Sequence, residues 1–94
     1  MAATATTIRV PLGRTLATSG VLEVTTAAER NIAFTRHSHG DWGDVCREDW
    51  QTNDQALRDG ERLLSIYHTL NGTKFYIITE ADRSATTILL PSEY

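Results

Sequence analysis

Arg62-Leu-Leu-Ser-Ile-Tyr-His-Thr-Leu70, Asn71-Gly72, Thr73-Lys-Phe-Tyr-Ile-Ile-Thr79, Glu80-Ala-Asp-Arg-Ser84 and Ala85-Thr-Thr-Ile-Leu-Leu-Pro91 follow one another without a break. Three runs rich in β-branched and aromatic residues, separated by two clusters of turn formers, read as a three-stranded antiparallel meander. Asn71-Gly72 between apolar runs is the strongest hairpin signal, because a type I′ turn needs positive φ at both central residues and Asn and Gly tolerate it. A two-residue turn sets Thr69 opposite Lys74, His68 opposite Phe75, Tyr67 opposite Tyr76, Ile66 opposite Ile77 and Ser65 opposite Ile78. One face then carries Leu64, Ile66, His68, Phe75 and Ile77 and is the expected core face. The other carries Ser65, Tyr67, Tyr76 and Ile78, with two neighbouring tyrosines as a candidate binding surface.

Working outward, Ile8, Val10 and Leu12 alternate, which predicts a short strand over residues 8–12 that Pro11 confines to a sheet edge. Residues 1–7 are small and polar and are expected to fray. Thr18 or Ser19 is placed to cap a helix with Val21, Leu22, Val24 and Ala28 on its apolar side. The β-branched Val24, Thr25 and Thr26 weaken that helix. A helical or turn-rich piece carrying Ile32, Ala33 and Phe34 follows and ends near His37-Ser-His-Gly40. Asp44 is the expected N-cap of a helix over residues 45–59, closed by Gly60, with Cys46, Trp50 and Leu57 on one face. The fold class is α+β: N-terminal helices packed on a C-terminal three-stranded antiparallel meander, with an N-terminal edge strand as its candidate extension.

The 94 residues make one domain, with 40% apolar and 22% charged residues, long enough to bury roughly 60–70% of the unfolded surface in one modest core. A formal charge of −3 argues against a general nucleic-acid binder, which carries a basic field. The single Cys46 excludes an internal disulfide, so a reduced cytoplasmic setting is the expected one. The first residues lack the basic and apolar regions of a signal peptide, and no apolar run approaches the ~20 residues of a membrane span.

Several residue groups are candidates for chemistry. His37 and His39, beside Asp41 and Asp44, offer two zinc ligands, but no second pair stands at ligand spacing, so they are read as surface-loop histidines and no metal or other cofactor is expected. Gly40-Asp-Trp-Gly-Asp44 places oxygen donors on a glycine turn without the donor pattern of a calcium loop; Trp42 is instead expected to plug the core. Glu80, Asp82 and Arg83 lie at the turn between the last two strands, where Asp and Ser are natural turn residues. A functional reading uses Arg62, Arg83, Thr86 and Thr87 as a phosphate-binding cluster. No nucleophile elbow, phosphate-binding glycine loop or dinucleotide fingerprint is present in the sequence.

From Gly40-Asp-Trp-Gly-Asp44 through Asn53-Asp-Gln-Ala-Leu-Arg-Asp-Gly60 and Arg62-Leu-Leu-Ser65 to Ile78-Thr-Glu-Ala-Asp-Arg-Ser84, Thr86-Thr87 and Leu90-Pro-Ser-Glu-Tyr94, the chain resembles small bacterial plasmid-related proteins of mobile genetic elements. The resemblance implies a cytosolic accessory protein of mobile DNA and brings no catalytic residue with it. A second, architectural resemblance is to ribonucleases of the barnase type, in which a glutamate is the base, a histidine the acid, and arginines hold the scissile phosphate. On that likeness Arg62 is placed like a phosphate-holding arginine, and Asp82-Arg83 falls where those enzymes carry Asp-His. Arg83 stays protonated and cannot serve as the acid, so the titratable group would have to be His68 or an upstream histidine, and the candidate set is Arg62, His68 and Arg83.

Two functional expectations follow. The favoured one is a non-catalytic protein-binding or inhibitory module that uses Tyr67, Tyr76, Glu80, Asp82 and Arg83. Tyrosine and arginine are frequent interface anchors. The alternative is a small metal-independent ribonuclease or toxin using Arg62, His68 and Arg83. Homodimerisation is a third expectation, since an uncovered edge strand finds a partner. Residues 85–90 are the expected edge, to be covered by the strand at residues 8–12 or by a second copy.

Overall fold

The computed structural model describes residues 9–94. Its elements, in chain order, are β1 (Arg14–Ala17), α1 (Ser19–Val24), α2 (Ala27–Ser38), α3 (Arg47–Asp59), β2 (Leu63–His68), β3 (Lys74–Thr79) and β4 (Ala85–Leu89), closed by a 3-10 turn at Pro91–Glu93. The fold is α+β. The four strands form one mixed sheet in the order β1-β4-β3-β2.

The meander β2-β3-β4 is antiparallel, but its first register is one residue away from the expectation. Ser65 pairs with Ile77, Ile66 with Tyr76, Tyr67 with Phe75 and His68 with Lys74. The loop has three residues rather than two. Thr69 N donates to Thr73 O and Gly72 N donates to Thr69 O, both at 2.9 Å. Gly72 takes φ +90 while Asn71 stays at negative φ, as in a turn followed by one left-handed residue. Asn71 contributes through its side chain, whose Oδ1 accepts from the hydroxyls of Thr69 and Thr73. Because side chains alternate, a one-residue slip moves every residue of one strand to the other face. The helix-facing side therefore carries Leu63, Ser65, Tyr67, Phe75, Ile77, Thr79, Thr86 and Ile88, all buried.

The expected strand at residues 8–12 is also corrected. Ile8 and the expected frayed segment, residues 1–7, lie outside the described residues. Val10 is buried in the core rather than strand-paired, and the N–H groups of Arg9 and Val10 both donate to Ser38 O. The extending strand is β1, which pairs parallel with β4, Arg14 opposite Ala85 through Ala17 opposite Ile88. Gly13 makes this possible: it has φ +63, and a Cβ there would collide with the carbonyls of Arg83 and Ser84. So β4 lies inside the sheet, and the edges are β1 and β2.

The helical half follows local chemistry. Thr18 caps α1, its Oγ1 accepting from Val21 N at 3.4 Å. The helix stops at Val24, where Thr25 turns extended, and Thr26 with Glu29 forms a reciprocal capping box that starts α2. Helix α3 begins two residues later than the expected start and is closed by the left-handed Gly60. Cys46, not Asp44, holds the N-cap position, and Asp44 instead donates its N–H to Ile66 O at 2.7 Å at the edge of β2. Ile66 N donates in turn to Trp42 O at 3.1 Å. Gly43, at φ +78, lets this segment approach β2, since a Cβ there would meet Ile66 O. Farther along the chain, Asn53 of α3 accepts from Leu64 N at 3.1 Å and donates to Leu64 O at 2.7 Å. The outward backbone groups of Leu64 and Ile66 are thus all satisfied, and β2 is a covered edge.

Trp42 is fully buried, as expected, and its Nε1 donates to Asp54 Oδ1 at 2.9 Å. It sits with Val10, Ala56 and Leu63 in one apolar cluster, while Val21, Ala33, Tyr67, Phe75, Ile77 and Ile88 form the other.

Candidate functional site

The capping box that starts α2 also builds a groove. Glu29 accepts from Thr26 N through Oε1 at 2.8 Å and, through Oε2, from Leu70 N in the β2-β3 loop at 3.0 Å. These backbone donors hold its carboxyl below the usual range. The hairpin tip is thereby tied to the first turn of α2. Between them runs an apolar groove of about 290 Å³ lined by Ala28, Ile32, Ala33, Leu70 and Phe75, with Arg36, Tyr67 and His68 at one end. Ile32 is 61% exposed and Leu70 is 99% exposed. A leucine held wholly in water on a braced loop does nothing for the core.

The polar end of the groove is ordered by carboxylates. Arg36 donates to both oxygens of Asp41, at 2.7 and 3.2 Å, and its guanidinium lies 4.8 Å from the centre of the Tyr67 ring. The bond from Arg36 holds the Asp41 carboxyl below its ordinary range. Tyr67 donates its hydroxyl to Asp41 O at 2.6 Å, and burial pushes that hydroxyl well above its usual pKa. His68 Nδ1 lies 2.7 Å from Asp44 Oδ2, which orients the imidazole, and among the described residues no hydrogen bond reaches Nε2.

The structure separates the residues picked out by sequence. Tyr67 faces the helices and is buried, whereas Tyr76 points to the opposite face of the sheet, so the expected pair of tyrosines does not form one surface. Tyr76 instead packs edge-on against Tyr94, ring centres 6.0 Å apart. Arg62 stacks on Tyr94 at 5.2 Å and lies 4.0 Å from Glu80. Asp82 accepts from Ser84 N at 3.0 Å, a turn-closing bond; the Ser84 hydroxyl, and after it this backbone bond, lower the Asp82 carboxyl pKa. Arg83 has positive φ (61°), and its guanidinium donates to the carbonyls of Glu61 at 2.7 Å, Glu80 at 3.2 Å, and Ala56 and Ala81 at 3.3 Å. It is a backbone clamp holding the β3-β4 turn to the end of α3. Arg62 and His68 stand at opposite ends of β2, about 20 Å apart at ~3.3 Å per residue. The geometry therefore does not assemble Arg62, His68 and Arg83 into one acid–base site.

His37 is a correction of a different kind. It is fully buried rather than a surface-loop residue, and packs edge-on against Trp42 at 5.5 Å. Its Nδ1 lies 2.6 Å from Ser65 Oγ and its Nε2 2.8 Å from Thr79 Oγ1. Thr79 Oγ1 is 2.8 Å from Thr86 Oγ1, and Thr86 donates to Leu12 O at 2.7 Å. A carbonyl only accepts, which sets the direction of each bond from Leu12 back to the His37 ring. Thr86 spends its proton on Leu12, so Thr79 donates to Thr86 and His37 Nε2–H donates to Thr79; with the ring neutral, Nδ1 accepts from Ser65. The ring is neutral, and desolvation, with a smaller effect of the Arg83 charge, lowers its pKa to about 4. Both ring nitrogens are occupied, and among the described residues no group of three or more His, Cys, Asp or Glu is placed to hold a metal ion. Nor is any helix among them long and apolar enough to cross a membrane.

The groove was missed from sequence, although Thr26-Ala-Ala-Glu29 carries the capping-box signal that locates its wall. Comparison with family models, curated proteins and solved structures finds no match to this chain.

Proposed function

We propose that the chain is a non-catalytic protein-binding module, an accessory of a mobile genetic element, and that it takes apolar side chains of a partner protein into the groove between α2 and the β2-β3 hairpin. The observation that carries this reading is Leu70, 99% exposed beside an apolar groove on a loop braced by Glu29, Thr69, Asn71 and Thr73. Apolar side chains held in water beside an apolar groove are the kind of surface onto which a partner docks, which supports this reading. A braced loop also loses little freedom on binding, so its contacts translate efficiently into affinity. The polar rim of Glu29, Arg36 and His68 supplies orientation.

The test is affinity capture from a bacterial lysate, followed by measurement of the purified complex. Fully burying one leucine is worth about 2 kcal/mol, so Leu70→Asp should weaken the complex by roughly 30-fold or more, and Ile32→Asp should act in the same direction. Both positions are exposed, so thermal unfolding of the variants should match the parent. Failure to recover a partner, or a complex indifferent to both changes, refutes the proposal.

A further inference from the structure

The two edges of the sheet are finished in opposite ways. On β2 the outward groups of Leu64 and Ile66 are satisfied by Asn53, Trp42 and Asp44. On β1 all four residues are exposed. Arg14 N donates to Ser84 O and Thr18 N to Ile88 O, so the even-numbered residues bond inward to β4. The N–H and C=O groups of Thr15 and Ala17 then point away from the sheet, and among the described residues no bond reaches them from that side. The edge has no proline, bulge or inward charge to blunt it. Leu16 on this strand is 40% exposed, and Leu22 (48%) and Val24 (41%) project from the helix that begins two residues after it.

We propose that β1 is the interface of a two-fold homodimer, pairing antiparallel with β1 of a second copy to make one eight-stranded sheet. The strand is self-complementary in a single register. Thr15 opposite Ala17 of the partner subunit, and the reverse, satisfies every outward group with four hydrogen bonds. Leu16 then meets Leu16 of the partner subunit on the axis, in the closer, non-hydrogen-bonded type of pair with Cα atoms about 4.5 Å apart. The same register sets Arg14 opposite Thr18 of the partner subunit. Thr18 Oγ1 donates to Glu93 Oε1 at 2.6 Å, and Thr18, Gly20 and Leu90 together lower the Glu93 carboxyl pKa. Arg14 makes no ion pair within the described residues, so each end of the dimer ladder brings a free guanidinium to a carboxylate. This complementarity of pattern and charge favours a second copy over an unrelated extended peptide.

Sedimentation equilibrium of the full chain tests it. A concentration-dependent dimer is expected. Thr15→Pro removes an N–H that bonds nothing inside the protomer, a change that edge strands accept, and should weaken association at least about tenfold with unchanged circular dichroism. In a Cys46→Ser background, Leu16→Cys should form an interchain disulfide on mild oxidation, because the axial spacing falls within disulfide reach. A chain that stays monomeric at high concentration, or a dimer that ignores Thr15→Pro and does not cross-link through residue 16, overturns the proposal. A monomer whose captured partner is lost with Thr15→Pro points to an extended heterologous peptide and equally overturns it. Leu70→Asp lies on a different surface and should leave the dimer intact, which separates this result from the groove.

Discussion

His37 shows how one side chain can organise a core by the direction of its hydrogen bonds. Its four-bond chain to Leu12 O satisfies Ser65, Thr79 and Thr86 at once, and a fully satisfied buried network favours one arrangement over its competitors. The same burial makes stability pH-dependent. The folded pKa is about 4 against an ordinary 6.5, so the unfolded chain binds the proton first, and stability present above pH 6.5 is lost as pH falls toward 4. The loss should be about 3 kcal/mol. In urea melts at stepped pH, His37→Gln should show a flatter profile across that window, while the lower-pH losses from Glu29, Asp41, Asp82 and Glu93 persist in both proteins. Parallel profiles would show that His37 is not the titrating group. The burial was hard to read from sequence because His37-Ser-His-Gly40 carries the signals of a helix end running into a loop, whereas α2 continues to Ser38 and sets His37 on the same face as the buried Ala33. The available hint lay elsewhere: Ser65, Thr79 and Thr86 occupy inward positions of three strands, and such polar residues need a shared partner.

At the scale of elements, the meander and the helical end at Gly60 were legible because turn residues and β-branched runs report directly on the backbone. The register was not. Asn71-Gly72 serves either a two-residue turn or a three-residue loop, and the hydroxyls of Thr69 and Thr73, closing on Asn71, decide between them. With that single step Tyr67 passes from the expected binding surface into the core. The coverage of β2 is likewise a tertiary event, since Asn53 interrupts the apolar stripe of α3 in order to meet a strand edge. Asn53→Ala should leave the N–H and C=O of Leu64 unsatisfied and destabilise the protein by about 2 kcal/mol. Hydrogen exchange should quicken at the Leu64 amide before it does at residues paired with β3. Exchange unchanged at Leu64 would mean that the strand edge does not depend on this contact.

For the whole molecule, buried apolar residues centre on the two clusters between helices and sheet, whereas Ile32 and Leu70 border the groove and Leu16 stays exposed on β1. If β1 joins two copies, the folded dimer and unfolded monomers are linked by mass action. The unfolding temperature should then rise with protein concentration, and Thr15→Pro should abolish the rise. A midpoint independent of concentration in the parent protein would argue against the dimer at this scale.

The parallel seam between β1 and β4 also has a kinetic meaning. Arg14 and its partner Ala85 are 71 positions apart (85 − 14), whereas β2, β3 and β4 are joined by short loops. Closing a long loop costs more chain entropy than closing a hairpin, and distant pairings form slowly. During synthesis β1 leaves the ribosome before its partner strand has been made, so the stretch of sheet translated earliest is the one that must dock last.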